Sequence, residues 1–309
     1  MRYLIGLILC FHLSAAMTLH EKVGQVFMAS IDGEAVGWEQ MALLERTALG
    51  NVILFTYANR LAEREQVVGL TTGLREAIVA RTGIVPLIAV DQEWGPRIRH
   101  FDFVGVTGAA LAPLGINLNL APVVDLAREG VVGDRAFSND PEVVIADAKR
   151  FIEGLKPVGC CLKHFPGHGG AVGDSHVELP VMSEDVARNL EPFRQLWPLA
   201  DAIMTAHVLV PQIDPDRCAT LSPDLIGILR GWGYDGVIIT DSLVMAGVGE
   251  DTTSAAIAAF LAGCDLLLLQ GDFEPVMAEF QRAVACGVIS EERLDRSVAR
   301  VLKLKERLA

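Results

Sequence analysis

The stretch richest in chemically active side chains is segment 163–170, which reads KHFPGHGG and is followed by DSH at 174–176. Three histidines and an aspartate within fourteen residues first suggest a metal site. However, the proline and glycine between His164 and His168 break a helix, so these histidines do not share one helical face. No cysteine or glutamate ligand stands at the usual spacing. We therefore expect no metal ion and no other cofactor.

The pair Asp174 and His176 suggests proton transfer instead. A carboxylate two residues from an imidazole can bind one ring nitrogen, fix the tautomer and raise the basicity of the other nitrogen. Asp241 follows the very apolar run 237–240, and taken alone it fits a loop-capping role equally well. Retaining cleavage of a glycosidic bond needs both a proton donor and a carboxylate nucleophile. Together, the three residues predict that chemistry.

Eight short apolar runs alternate with segments of helical periodicity, which is the pattern of parallel βα units. The runs are Gly24 to Ser30, Asn51 to Phe55, Val85 to Asp91, Ile116 to Asp125, Val158 to His164, Asp201 to His207, Asp235 to Asp241 and Cys264 to Gln270. Eight repeats without a G-x-G-x-x-G turn favour a closed barrel over a doubly wound sheet. We predict an α/β fold with a single (β/α)₈ TIM barrel.

Predicted helices lie between these runs, where apolar residues recur at three- and four-residue spacing. They include Pro141 to Lys156, Ser183 to Ala200, Thr252 to Ala262 and a closing amphipathic helix from Glu291 to Leu308. Pro141 and Pro223 suit a first helical turn, with Asp140 and Ser222 before them as N-caps.

Polar residues end five of the predicted strands: Asp91, Asp125, His164, His207 and Asp241. In a parallel barrel all such positions lie on the C-terminal rim, where these barrels place their chemistry. Any one of them alone is most simply a capped strand end, but five together indicate an active site.

Composition restricts the partners. The 309 residues carry a net charge of -13, with 51% hydrophobic and 21% charged residues, as in globular proteins. Such a charge repels a phosphate backbone and an anionic membrane surface, which argues against nucleic acid and membrane partners. We expect a monomer that binds a small, neutral substrate.

The N-terminal residues have the order of a secretory signal: Arg2, an apolar run from Tyr3 to Leu13, and small residues ending at Ala16. We predict a signal peptide at 1–16 and a barrel domain at 17–309, the alternative being a buried N-terminal segment of a cytoplasmic protein. Five cysteines follow Cys10, without CxxC spacing, so we expect neither a disulfide framework nor a zinc ribbon.

Ordered motifs then identify a family. KHFPGHG with DSH at 174–176, MTAH at 204–207 and ITDSLxMxG at 239–247 together resemble the family-3 glycoside hydrolases, in particular the NagZ-type β-N-acetylhexosaminidases. The resemblance runs from about Leu19 to the C-terminus. It implies a single barrel, Asp241 as the nucleophile that forms a glycosyl-enzyme, and an acid/base dyad of His176 and Asp174.

The resemblance also implies a sugar-binding set. Its members in this sequence are Asp91, Arg99, Arg135, Lys163 and His164. The first motif departs from the family pattern D-Q-E-G-G-R-V-x-R, because Trp94 replaces a glycine and Pro96 replaces an arginine. We expect these departures to alter the aglycone side or the local loop shape.

Three functions fit these residues. The first is removal of β-linked N-acetylglucosamine from peptidoglycan fragments, which the resemblance places in cytoplasmic cell-wall recycling and which a true signal peptide moves to the periplasm or outside the cell. The second is phosphorolysis by the same residues, since a histidine acid/base does not repel phosphate. The third is a catalytically silent protein that binds cell-wall sugars.

Overall fold

The computed structural model describes residues 17–93, 107–126, 132–173, 175, 177–182 and 185–309. Eight parallel strands in this part of the chain form one sheet: β1 (Phe27–Ser30), β2 (Asn51–Ile53), β3 (Leu87–Val90), β4 (Leu118–Asn119), β5 (Gly159–Phe165), β6 (Ala202–Thr205), β7 (Val237–Ile239) and β8 (Leu267–Leu269). Each strand pairs with its neighbour in chain order from β1 to β7, and β8 pairs with β1. A bridge between Ile239 and Leu266 joins β7 to β8 and closes the barrel. The predicted TIM barrel is confirmed, with one strand in each predicted run.

Helices surround the sheet. Those described are α1 (Leu19–Gln25), α2 (Trp38–Thr47), α3 (Thr56–Asn59), α4 (Arg64–Thr82), α5 (Gly108–Leu111), α6 (Pro141–Leu155), α7 (Val186–Leu196), α8 (Pro223–Gly231), α9 (Thr252–Ala262), α10 (Glu274–Ala285) and α11 (Glu291–Leu308). The predicted caps are confirmed, because the Asp140 carboxylate accepts the N–H of Glu142 and the Ser222 hydroxyl accepts that of Leu225. Among the described residues, none of the helices has the length and apolarity to cross a bilayer.

A proline shortens the observed element in two of the predicted segments. Helix α7 ends at Leu196 and a 3₁₀ turn continues to Leu199, because Pro198 has no N–H to extend the α-helical bonds. Strand β4 pairs over only two residues, since Pro122 likewise interrupts the ladder, and pairing with β5 resumes at Val123 opposite Lys163.

Apolar packing forms two layers. Alternate strand residues, such as Met28, Leu118 and Cys161, fill the barrel interior. Their neighbours, including Phe27 and Cys160, face the helices. Cys160 and Cys161 therefore point to opposite faces and pack in the core.

Helix α11 covers the N-terminal end of the barrel. Its residues Val301 and Leu304 belong to the barrel-interior cluster, and the Leu308 side chain closely approaches Gly159 at the start of β5. This end of the barrel is therefore plugged by apolar side chains, whereas the opposite end carries the polar strand ends.

A second, four-stranded sheet was not predicted. The hairpin of Ala171–Val172 and Val181–Met182 follows β5, and the strands Leu209–Val210 and Asp214–Cys218 follow β6. Val181 pairs with Leu209, so the sheet ties the loop after β5 to the loop after β6. Between the two strands of the hairpin, the structure describes residues 173, 175 and 177–180.

Candidate active site

A four-residue ion cluster occupies the C-terminal end of the barrel. Lys163 of β5 binds Asp91, which follows β3, and its Nζ lies 2.7 Å from Oε1 of Glu93. Arg135, in the 3₁₀ turn Gly133–Arg135, binds the same Glu93 carboxylate with both Nε and Nη2, at 2.7 and 2.6 Å. Glu93 thus joins two of the predicted sugar-binding cations, and Asp91 lies beside them.

The opposite charges of this cluster shift one another's pKa values and so keep the buried side chains ionised. Burial alone would raise the pKa of Glu93, but Lys163 and Arg135 lower it well below its ordinary value. Burial would likewise lower the pKa of Lys163, yet Asp91 and Glu93 raise it. Both side chains therefore stay ionised at neutral pH, at 5% and 1% exposure, while Asp91 keeps 27% of its side chain exposed toward the rim.

His164 is oriented by a buried carboxylate. The Asp125 carboxylate lies 2.7 Å from His164 Nδ1, and it accepts the backbone N–H groups of His164 and His168. The pKa of Asp125 is lowered, because the adjacent histidines outweigh the opposing effect of burial. On the other side of the ring, Arg135 Nη2 lies 3.4 Å from Nε2. A guanidinium only donates, so Nδ1 carries the ring proton and Nε2 accepts.

Asp241 lies two residues after the end of strand β7 and is partly exposed at the rim. Burial raises its pKa, but the nearby His164 and His207, the N–H of Ser242 and Lys163 lower it overall. The N–H of Ser242 donates to Asp241 Oδ1 at 2.7 Å. Asp241 is therefore an ionised carboxylate at neutral pH, which is the form a nucleophile requires.

His207 supports the backbone beside Asp241. Burial lowers the pKa of His207, so the ring is neutral, and its Nε2 donates to the Ser242 carbonyl oxygen at 2.9 Å. Its Nδ1 lies 2.8 Å from the Thr220 hydroxyl. The ring thereby fixes the residue that follows the predicted nucleophile.

The structure brings five predicted site residues together at this rim: Asp91, Arg135, Lys163, His164 and Asp241. The predicted residues Arg99, Asp174 and His176, like the departures at Trp94 and Pro96, lie outside the described residues, as does the segment 1–16. Where the chain is described, no three His, Cys, Asp or Glu side chains are grouped so that they hold a metal ion.

Sequence reasoning placed Asp125 and His207 at the predicted rim without assigning them a supporting role, and it did not single out Glu93 or Thr220. Glu93 stands two positions after a recognised strand end, and Asp125 and His207 are strand ends themselves, so that pattern held a signal for all three. Thr220 gave none, because it lies in a 3₁₀ turn that the sequence does not mark.

A family model and several relatives match the chain. Residues 101–304 match the family described as glycosyl hydrolase family 3, N-terminal domain. A protein named Beta-hexosaminidase from Idiomarina loihiensis is 35% identical, with 79% of this chain and 83% of the relative covered. One of the same name from Pseudomonas aeruginosa is 36% identical, with 82% and 86% covered.

Solved structures show the same fold. A glycoside hydrolase family 3 beta-N-acetylglucosaminidase from Paenibacillus sp. superimposes with a TM-score of 0.89 at 36% identity. The match covers 94% of the present chain and 63% of that chain, so this chain spans less than two thirds of that protein.

Proposed function

Since the chain belongs to glycosyl hydrolase family 3, we propose that it is a retaining exo-β-N-acetylglucosaminidase with Asp241 as nucleophile. The observation that carries the proposal is the ionised Asp241 carboxylate at the barrel rim, whose pKa the neighbouring His164, His207, Ser242 N–H and Lys163 lower. A lone strand-end aspartate needs none of these neighbours to cap a loop. The preference for an acetamido sugar is proposed from the relatives named Beta-hexosaminidase and from the similar structure described as a beta-N-acetylglucosaminidase.

The ion cluster suits the hydroxyls of a terminal sugar. Lys163 Nζ has three N–H donors, of which Asp91 and Glu93 take two, so the third is left for a sugar oxygen. Asp91 is the more exposed of the two carboxylates and accepts hydrogen bonds from sugar O–H groups. Arg135 contacts both Glu93 and His164, and so belongs to the same proposed sugar-binding set.

In the proposed reaction, an oxygen of Asp241 attacks the anomeric carbon and forms a glycosyl-enzyme ester while the glycosidic bond breaks. His176, oriented by Asp174, gives its proton to the leaving oxygen. It then takes a proton from a water molecule, whose oxygen attacks the anomeric carbon and releases Asp241. The product keeps the β configuration.

The charge balance favours water over phosphate as the acceptor. Lys163 and Arg135 are neutralised by Asp91 and Glu93, so the described part of the site offers no surplus cation to a phosphate dianion. Asp241 adds a further negative charge. Phosphorolysis is therefore the alternative that the test must exclude.

The test is turnover of 4-nitrophenyl N-acetyl-β-glucosaminide by the wild type and Asp241→Ala, with the plain β-glucoside as control. We expect turnover of the acetamido sugar, absent from the variant, with the β-anomer as first product by NMR. A rate that requires phosphate and yields a sugar phosphate would replace hydrolysis by phosphorolysis. Binding of N-acetylglucosamine without turnover of any substrate would replace both by the silent binding protein.

We extend the proposal to peptidoglycan fragments as the natural substrate, since the family resemblance implies N-acetylglucosaminyl-anhydromuramic acid peptides. Faster release of N-acetylglucosamine from such a fragment than from chitobiose would support this extension, and the reverse order would contradict it. We further propose export to the periplasm or outside the cell, because residues 1–16 have the order of a secretory signal; a cytoplasmic enzyme is the alternative. Fractionation of cells that express the full chain, with the N-terminus of the mature protein sequenced, tests the compartment.

A further inference from the structure

A cleft lined by arginines lies near the N-terminal end of strand β7, whereas Asp241 follows the other end of that strand. Its volume is about 380 Å³, and it opens where α11 passes the segments that precede β7 and β8. The lining residues are Arg230, Gly233, Tyr234, Asp235, Gly263, Arg293, Arg296 and Arg300. Four cations thus face one carboxylate in the cleft, although the whole chain has a net charge of -13.

Helix α11 places three of these arginines side by side. Arg293, Arg296 and Arg300 are three and four residues apart, so they share one helical face. Burial lowers the pKa of Arg293, and the like charges of Arg300 and Arg296 add to that decrease, against the opposing effect of Asp265. Positive charge is therefore concentrated on this face of the helix.

The carboxylates near the cleft do not fully balance this charge. Asp265 is buried behind the cleft and is shared, with Oδ2 2.5 Å from Arg230 Nη2 and Oδ1 3.1 Å from Arg300 Nη1. Asp235 and Glu292 each pair with one arginine, but their side chains are 65% and 80% exposed, so water screens them. Even with all three carboxylates counted, the four guanidinium groups leave one positive charge in surplus.

Arg296 and Arg300 keep donors that no protein group uses. Arg300 donates from Nε to Asp235 and from Nη1 to Asp265, and Arg296 donates from Nη1 to Glu292. Among the described residues, Nη2 of Arg300 and both Nε and Nη2 of Arg296 have no hydrogen-bond partner, and these atoms are not buried. A ligand in the cleft can therefore accept hydrogen bonds from both side chains.

The other two arginines form the wall of the cleft. Both Nη atoms of Arg230 and of Arg293 already donate to protein oxygens, which include backbone carbonyl groups beside the cleft. Their charges act on a ligand without direct contact from these atoms.

We propose that this cleft binds the phosphate group of a small phosphate ester, with Arg296 and Arg300 as its ligands. Guanidinium N–H groups match phosphate oxygens and form charge-assisted hydrogen bonds with them. The negative charge of the phosphate offsets the surplus positive charge of the cleft. A volume of 380 Å³ falls in the range of small-molecule sites, about 300–1,000 Å³, so the organic part of an ester fits beside its phosphate. This site is separate from the proposed glycosidase reaction and does not depend on it.

The experiment compares Arg296→Gln with the matched control Arg282→Gln. Arg282, in α10, is 67% exposed and pairs with the surface carboxylate of Glu279 at 2.9 Å, much as Arg296, 51% exposed, pairs with Glu292 at 2.7 Å. Inorganic phosphate and glycerol 3-phosphate are titrated into the full chain, with NaCl holding the ionic strength constant. The rise in Tm with ligand concentration gives each dissociation constant, because a ligand of the folded state stabilises that state.

We expect both ligands to raise the Tm of the wild type at constant ionic strength, and the ester to bind more tightly than free phosphate. Arg296→Gln should weaken both by about 5- to 20-fold, near the lower end of the roughly 10- to 100-fold that a hydrogen bond to a charged group supplies, because Arg296 is half exposed. Arg282→Gln should bind both within about 2-fold of the wild type. Equal affinity for the two ligands would identify free phosphate as the ligand of the same arginines.

No rise in Tm beyond that of NaCl alone would overturn the proposal. Equal weakening in the two variants would do the same, because it would show only a general effect of net charge. Phosphate bound at the catalytic rim would be insensitive to Arg296→Gln, so unchanged binding in that variant would also refute this site.

Discussion

Two buried lysines lie at opposite ends of the barrel and have opposite pKa shifts. Lys163, at the C-terminal rim, faces Asp91 and Glu93, which raise its pKa above the ordinary value although burial opposes this. Lys305, in helix α11 at the N-terminal end, donates from Nζ to Gln25 Oε1 at 2.5 Å and to the Gly50 carbonyl oxygen at 2.9 Å. Burial lowers its pKa to about 7.

The difference shows what each end of the barrel is built to do. A buried charge is costly unless opposite charges compensate it. At the rim two carboxylates provide that compensation, which fixes a charged group where a polar substrate binds. At the N-terminal end two neutral oxygens match the two N–H donors of an uncharged amine, so Lys305 closes the barrel without requiring a charge.

The largest expected effect comes from removing the compensated charge. Lys163→Met leaves Asp91 and Glu93 without their shared cation, and breaking a buried pair in this way costs about 3–5 kcal/mol. We expect a loss of that size in the free energy of unfolding, measured by urea denaturation at pH 7, together with loss of activity. If Lys163→Met were as stable as the wild type, Asp91 and Glu93 would not need Lys163 to compensate their charges.

A smaller, pH-dependent effect is expected for Glu93→Gln. The folded pKa of Glu93 lies well below its ordinary value of 4.5, so the ionised side chain stabilises the fold above about pH 4.5. That stabilisation is lost as the pH falls from 4.5 through the lower folded pKa. We expect the variant to be less stable by about 1–3 kcal/mol at pH 7, as for a buried group left without its partner.

The measurement is urea denaturation of both proteins between pH 7 and pH 3. The gap between wild type and Glu93→Gln should narrow on the acid side and stay constant above pH 5. A gap that is the same at every pH would contradict the assigned shift.

The contrast between the lysines also shows what the sequence predicts. Lys163 stands in a recognisable motif at a strand end, so its place at the rim followed from alternating βα units. All eight strands and the bounds of α9 and α11 were predicted in the same way, because apolar periodicity is a local property.

Partners across the barrel were not predicted, because they depend on tertiary packing. Nothing in the sequence connects Lys305 with Gln25, which lies 280 residues away, or Glu93 with Arg135. The hairpin around Ser175 was missed for a related reason. Its strands are only two residues long, too short to show alternation, and they form because Val181 pairs with the loop after β6.

Lys305, at the N-terminal end of the barrel, should change the pH dependence of the free energy of unfolding above pH 7. Unfolded Lys305 has the ordinary pKa of 10.5, whereas the folded value is about 7, so between these pH values the unfolded chain binds more protons. Stability from this group therefore rises with pH across that window and is constant below it, with a slope of up to about 1.4 kcal/mol per pH unit.

Lys305→Met provides the matched comparison, because every other group that titrates in this window is unchanged. We expect the wild type to gain stability relative to the variant between pH 7 and pH 9 by urea denaturation. A constant difference over this range would show that folded Lys305 keeps its proton.

The smallest expected effect is on catalysis by Lys305→Met. Lys305 packs where α11 plugs the barrel, among neighbours such as Leu304 that reach the interior core and not the rim. Its hydrogen bonds end on Gln25 and Gly50, which precede β1 and β2 at the end of the barrel remote from Asp241. We therefore expect kcat and KM within about 2-fold of the wild type at temperatures where the variant is folded, since surviving rim geometry preserves transition-state binding. A selective fall in kcat in this variant would mean that the closing helix and the catalytic rim are energetically coupled through the barrel core, and that the two ends do not act independently.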